Sequence, residues 1–259
     1  DLKKTENTQP AILTTSIAIM EVLKLKGITP DVTAGLSLGE YSALVASNVI
    51  SFSDAVEVVS KRGKYMQEAV PMGEGTMAAV LGMEKEDLIE CLKMASGYGV
   101  VEAANYNCPG QIVIAGHTKA VEQACVLLKE KGAKRAMMLP VSAPFHSSLL
   151  KPAGDKLANE LDGLEIKDFE IPVVSNVNAQ VIMDKDNVKQ CLIDQVSSSI
   201  LWEDSIRQMI DMGVDTFIEV GPGKTLSAFV KKIDKNVAVF NVEDIQSLEN
   251  TVTNIKERT

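Results

Sequence analysis

The run between residues 76 and 139 constrains the fold of this chain more than any other stretch. It reads as a strand over 76–81, a helix over 85–95, and strands over 100–105 and 111–115. A second helical stretch over 119–131 and a strand over 134–139 follow. The order β-α-β-β-α-β is the split βαβ, ferredoxin-like arrangement. Pro71, Gly73 and Gly75 punctuate the chain before it and Pro140 after it. The pattern predicts an α/β protein in two parts. A small ferredoxin-like domain over 75–140 is inserted into a larger domain built from 1–74 and 141–259.

Outside the insert, apolar residues recur at helical spacing over 11–25, with Gly27 as the C-terminal cap. A strand over 31–36 runs into Ser37-Leu38-Gly39 and then a helical stretch through Val45. Ser53 can cap the next helix, whose stripe is Ala55, Val58, Val59, Met66 and Val70. Beyond the insert, helices are expected over 149–161, 188–196 and 204–212, from Thr225, and at the C-terminus. Strands are expected over 171–177, 216–220 and 237–240. With 259 residues, 46% of them hydrophobic and 24% charged, the chain can bury a core and is not disordered, collagenous or a disulfide-stapled miniprotein. Its 26 basic against 35 acidic side chains give a net charge of −9, so nothing favours nucleic acid as a general partner and none is expected. The apolar stretch 12–25 is broken by Thr14, Thr15, Ser16, Glu21 and Lys24, so no membrane span or secretory leader is expected. Cys91, Cys108, Cys125 and Cys191 form no C-x-x-C pair and only two histidines exist. No metal site is therefore expected, and reduced thiols in a cytoplasm are the simplest reading. The sequence opens on Asp1, so it is expected to start inside its reading frame.

The strongest chemical signal is Gly35-Leu36-Ser37-Leu38-Gly39, between a strand and a helix. A sharp strand-to-helix turn exposes a serine hydroxyl, and the helix N-terminus aims the Leu38 N–H at a developing oxyanion. The alternative is a small-residue turn that packs a helix on a sheet. Two histidines compete as the base. His117 reads as a helix-start or surface residue, whereas His146, in a proline-stiffened loop, is better placed to reach across a cleft. Arg62 could fork a carboxylate, but Lys61, Arg62 and Lys64 together also read as a solvated face. Gly221-Pro222-Gly223-Lys224 reads as a tight turn, not a phosphate cradle, because it lacks the spacing of either nucleotide fingerprint.

Ordered motifs extend this reading: G-L-S-L-G-E-Y-S-A-L at 35–44, K-R-G-K-Y-M-Q-E-A-V at 61–70, N-Y-N-C-P-G-Q-I-V-I-A-G-H at 105–117, F-H-S at 145–147 and E-V-G-P-G at 219–223. On these the chain resembles the bacterial malonyl-coenzyme A:acyl carrier protein transacylase family, acyltransferases also found inside fatty acid and polyketide synthases. The resemblance implies an α/β-hydrolase-like large domain with a ferredoxin-like insert. It implies malonyl transfer in two steps, with Ser37 as nucleophile, His146 as base and Arg62 on the free carboxylate of the malonyl group. Gln195 matches a glutamine whose backbone carbonyl orients the histidine, and Phe145 a variant that accompanies malonyl preference. The implied partners are malonyl-coenzyme A and acyl carrier protein, with no cofactor beyond the thioester substrate, in a cytoplasmic monomer. The family also carries an upstream strand and a turn of the type F-P-G-Q-G, whose glutamine is a second oxyanion donor; no counterpart lies in this sequence.

An acidic carrier protein would need a local basic patch, for which Lys61, Lys64, Lys129, Lys131, Lys134, Lys151 and Lys231 are candidates. Three alternatives stay open: a serine hydrolase on the same turn, an acyltransferase of a polyketide pathway, and a non-catalytic binding fragment. A hydrolase would place an Asp or Glu between serine and histidine in the chain. Candidates such as Glu102 fall inside the insert, where they are badly placed.

Overall fold

A computed structural model describes residues 2, 4–141 and 143–258; Asp1 and Ser142, the first residue of the expected His146 loop, lie outside them. The fold is mixed α/β. Helix α1 (Thr5–Leu25) buries one stripe, Gln9, Leu13, Ser16, Met20 and Leu23, and ends at Gly27, where the Ile28 N–H closes back on the Leu23 carbonyl at 3.0 Å. Strand β1 (Thr33–Ala34) leads through a turn into α2 (Leu38–Ala46), and α3 (Phe52–Glu68) follows. The α3 cap is Ser51, whose hydroxyl accepts from the Asp54 N–H at 3.1 Å; the expected Ser53 lies two residues later, already inside the helix. Helix α3 packs so closely on α1 that a side chain at Gly63 would stand 2.7 Å from the Thr5 carbonyl oxygen.

The central unit comprises β2 (Gly75–Leu81), α4 (Lys85–Ala95), β3 (Val101–Cys108), β4 (Gln111–His117), α5 (Thr118–Glu130) and β5 (Arg135–Met138). Its strands form an antiparallel sheet in the order β3-β4-β2-β5. One face buries Val80, Val101, Ile112 and Ile114 against Leu88, Leu92, Val121 and Leu128 of the two helices. The other face presents Met77, Val113 and Ala115 to Leu139, Val141 and Phe145, which fixes the chain leading into His146. Strand β3 docks on the rest of the molecule by a short parallel bridge: Tyr106 N–H donates to the Ile200 carbonyl at 2.9 Å and Ile200 N–H to the Ala104 carbonyl at 2.8 Å.

The remaining elements are α6 (Lys151–Asp162), β6 (Val173–Val174), α7 (Val188–Ser197), α8 (Trp202–Asp211), β7 (Thr216–Val220), α9 (Thr225–Ile233), β8 (Ala238–Val242) and α10 (Ile245–Arg258). Helices α1, α2, α3, α6 and α7 share a core around Leu13, Leu44, Val59, Leu157 and Leu192. Strand β1 pairs in parallel with β6, and β7 with β8. The expected strands over 31–36 and 171–177 keep only two paired residues each. The chain leaves the ladder once Ser175 N–H turns to the Gln180 carbonyl, while the Gly35 carbonyl is taken by Asn176 Nδ2. Among the described residues, no helix is long and apolar enough to cross a membrane.

Candidate active site

Ser37 sits between β1 and α2 with φ 53 and ψ −105, a conformation that non-glycine residues rarely adopt. The surroundings enforce it. A side chain at Gly35 would overlap the main chain of Gly39, so the turn is this tight only with glycine there. Asn176, just past β6, clamps the turn by accepting the Ser37 N–H at 2.6 Å and donating Nδ2 to the Gly35 carbonyl at 2.9 Å. Leu38 is the first residue of α2, and its N–H has no intrahelical acceptor.

Ser37 Oγ lies 2.7 Å from His146 Nε2, and His146 Nδ1 lies 2.8 Å from the main-chain oxygen of Gln195 on α7. A carbonyl oxygen only accepts, so the proton sits on Nδ1 and the Nε2 lone pair faces the serine hydroxyl. Arg62, the largest of the fully buried side chains, reaches the same point from α3. It donates through Nη2 to Ser37 Oγ at 3.0 Å and to Gln195 Oε1 at 2.8 Å, and through Nη1 to Gln9 Oε1 at 2.8 Å. It therefore leaves the solvated face expected for its cluster, where Lys64 is exposed and Lys61 pairs with Glu57 and Glu160. The Gln195 amide continues the network, donating Nε2 to Glu40 Oε2 at 2.7 Å and to the Ser37 carbonyl at 2.9 Å.

Burial and then the Arg62 charge push His146 down from 6.5 to about 3, so it stands neutral. Burial pushes the Glu40 carboxyl up from 4.5 to about 7, against the pull of Gln195, Asn176 and Arg62. The result is a hydroxyl between a neutral acceptor and a buried cation, at the N-terminus of a helix, an arrangement able to form and hold an acyl ester.

Residues 1–256 match the acyl transferase domain family. The chain belongs to that family. A malonyl CoA-acyl carrier protein transacylase of Bacillus subtilis is 53% identical to this acyl transferase over 99% of the chain and 81% of the relative. The crystal structure of a protein of that description from Clostridium perfringens superimposes with a TM-score of 0.97 at 52% identity, covering 99% of this chain and 81% of that one. A malonyl-transacylase solved in complex with a type II PKS acyl-carrier protein matches with a TM-score of 0.95 at 41% identity, over 98% and 82% of the two chains.

Other candidates in this acyl transferase lie elsewhere. His117 is the N-cap residue of α5, and its Nδ1 accepts the Val100 N–H at 2.9 Å. At the 221–224 turn Gly221 N–H donates to the Val242 carbonyl and Gly223 N–H to Glu243, and the Leu226 and Ser227 amides at the start of α9 donate to Glu219. Among the lysines considered for a basic patch, Lys131 as well as Lys61 is engaged in ion pairs, with Asp87 and Glu90. Glu102 is not the partner of His146 Nδ1, which faces the Gln195 carbonyl; its carboxylate instead accepts from the N–H and hydroxyl of Ser148, at 2.7 and 2.8 Å. His146, Glu102 and Ser148 line a cleft of about 580 Å³, together with Ile89 and Lys93 of α4 and Ser199.

Proposed function

We propose that this chain moves a malonyl group from malonyl-coenzyme A to the phosphopantetheine thiol of acyl carrier protein through a malonyl ester on Ser37, supplying extender units for fatty acid biosynthesis. The seat of Arg62 carries this reading: the residue is 1% exposed, and Nη2 lies 3.0 Å from Ser37 Oγ. Among the described residues no carboxylate forms an ion pair with it, so an acyl group bringing its own carboxylate would neutralise it best. The named relatives support the same substrates.

In the first step the Ser37 proton passes to His146 Nε2 as Oγ attacks the thioester carbonyl. The Leu38 N–H faces the oxyanion, and coenzyme A leaves as a thiol with the proton from His146. In the second step the pantetheine thiol gives its proton to His146 and attacks the ester, and Ser37 Oγ recovers the proton. Throughout, Arg62 holds the malonyl carboxylate and Gln195 holds the imidazole. The strand order β3-β4-β2-β5 supports reading 75–140 as a ferredoxin-like insert. The Ser37 turn supports reading 1–74 and 141–259 as an α/β-hydrolase-like domain. The reaction needs no cofactor beyond the thioester, and we take the protein to be a cytoplasmic monomer. The relative solved with a type II PKS acyl-carrier protein favours a second setting, the same transfer in a polyketide pathway.

Malonyl-coenzyme A offered alone tests the reaction. One equivalent of coenzyme A released, with malonate stalled on Ser37 and nothing on Ser37→Ala, is the expected result. Rapid multiple turnover would make the protein a hydrolase, and no release at all would make it a binding module.

A further inference from the structure

His146 itself has φ 58, a strained conformation for a residue with a side chain. Strain of this kind persists only where the neighbours hold the backbone on both sides. On the N-terminal side the hold is visible: Phe145 packs on the open face of the four-stranded sheet, and Ser147 Oγ donates to the Pro144 carbonyl at 2.7 Å. On the C-terminal side it is Glu102. Its two carboxylate oxygens take the N–H and the hydroxyl of Ser148 separately, at 2.7 and 2.8 Å. Ser148 opens the short 3-10 turn that leads into α6, so its N–H is an orphan amide satisfied by a carboxylate from a different element.

We propose that Glu102 is a positioning residue for the Ser37–His146 pair, pinning the chain two residues beyond the histidine so that Nε2 stays within reach of the serine. The inference rests on the reading of Ser37 and His146 as the working pair. It also makes their alignment depend on the docking of β3, because the clamp joins that strand to the histidine loop. The carboxylate at 102, unsuitable as the acid of a triad, acts one step removed from the imidazole. It touches no reacting atom.

The test is the rate at which a fluorophosphonate labels Ser37 in the protein expressed from its natural reading frame, since this reads activation of the hydroxyl without any malonyl contact. Glu102→Ala should slow labelling about 10- to 100-fold, the scale for displacing a catalytic group by about 1 Å. It should lower kcat for malonyl loading with KM unchanged within about twofold, because Arg62 is untouched. Glu102→Gln offers Ser148 one acceptor and one donor and should recover labelling to within about threefold of wild type. Glu102→Asp, one methylene shorter, should fall between and carries the test should the alanine variant not fold. Wild-type labelling in Glu102→Ala and Glu102→Asp would overturn the inference, as would a Gln variant as slow as Ala with an equally lowered Tm. If the wild type forms no malonyl-Ser37, the functional reading fails first. If it does and the Glu102 variants match it, only the clamp fails.

Discussion

Replacing Arg62 by methionine tests what the buried cation selects. Methionine keeps much of the volume of the arginine stem, so the packing with Tyr41, whose ring centroid lies 5.4 Å from the guanidinium carbon, is partly retained. The change removes the donor to Ser37 Oγ at 3.0 Å and leaves Gln9 Oε1 and Gln195 Oε1 without their 2.8 Å partners. Each orphaned acceptor costs about 1–3 kcal/mol. Loss of an unpaired buried charge offsets part of that, so Tm should move by only a few degrees. Substrate choice should move far more. Truncating one side of a buried charge pair costs about 2–5 kcal/mol, a factor of about 30 to several thousand. We expect kcat/KM for malonyl-coenzyme A to fall about 10²- to 10³-fold. Acetyl-coenzyme A, which has no carboxylate, loses only the Arg62 hydrogen bond to Ser37 Oγ and should fall less than about tenfold. Mass-spectrometric loading of Ser37 from an equimolar mixture of the two thioesters measures the ratio directly. A malonyl preference unchanged in Arg62→Met would refute the role of the cation.

Gly35→Ala should lower the urea midpoint clearly and abolish loading, because the new methyl overlaps the Gly39 main chain and the turn must open. Ser37→Gly should do the reverse for stability, raising ΔG by about 1 kcal/mol as the φ 53 strain is relieved, while no acyl-enzyme forms; an unchanged or lowered midpoint would count against stored strain. Since His146 is held near 3 against 6.5 when unfolded, the unfolded chain binds more protons in that window, so stability drops as pH falls below 6.5 and His146→Asn should flatten that limb. Glu40 works oppositely: held near 7 against 4.5, it contributes stability fully below 4.5 and loses it as pH rises through 7, so Glu40→Gln should remove that loss from the urea midpoints between pH 4.5 and 7. For loading kcat/KM, an acid limb centred near 6.5 that His146 accounts for would contradict its depressed value.

The Ser37 turn was legible because its geometry is local: two glycines, a strand and a helix start fall within five consecutive residues. The place of His146 beside Ser37 was legible by elimination, there being only one competing histidine. Arg62 shows what a composition reading hides. Grouped with Lys61 and Lys64 it looks solvated, yet it falls on the stripe Ala55, Val58, Val59, Met66, seven residues after the first of these. Helical periodicity therefore carried the signal that it points inward. Gln9 carried the same signal, heading the buried series Leu13, Ser16, Met20 and Leu23 on α1. Asn176, Glu40 and Glu102 had no such marker. Their roles come from contacts across 136 to 141 residues for the Asn176 clamp and 46 for the Glu102 one, which no local pattern encodes.

The missing carboxylate on His146 bears on why such a site would transfer rather than hydrolyse. Burial and then the Arg62 charge hold His146 near 3, and the Gln195 carbonyl on Nδ1, which favours the imidazolium, only partly opposes them. A base that weak is badly matched to water, whose pKa is about 15.7, and needs far less driving force with a thiol of pKa about 8.5. The same cation that depresses the histidine donates to Ser37 Oγ and favours the negative charge that builds there as its proton leaves, so acylation keeps electrostatic help when the base is poor. The malonyl ester should then resist water and yield to the pantetheine thiol. A Gln195 carbonyl in place of an acidic third member thus favours transfer, and a carboxylate built against His146 Nδ1 should raise the rate of malonyl-enzyme hydrolysis.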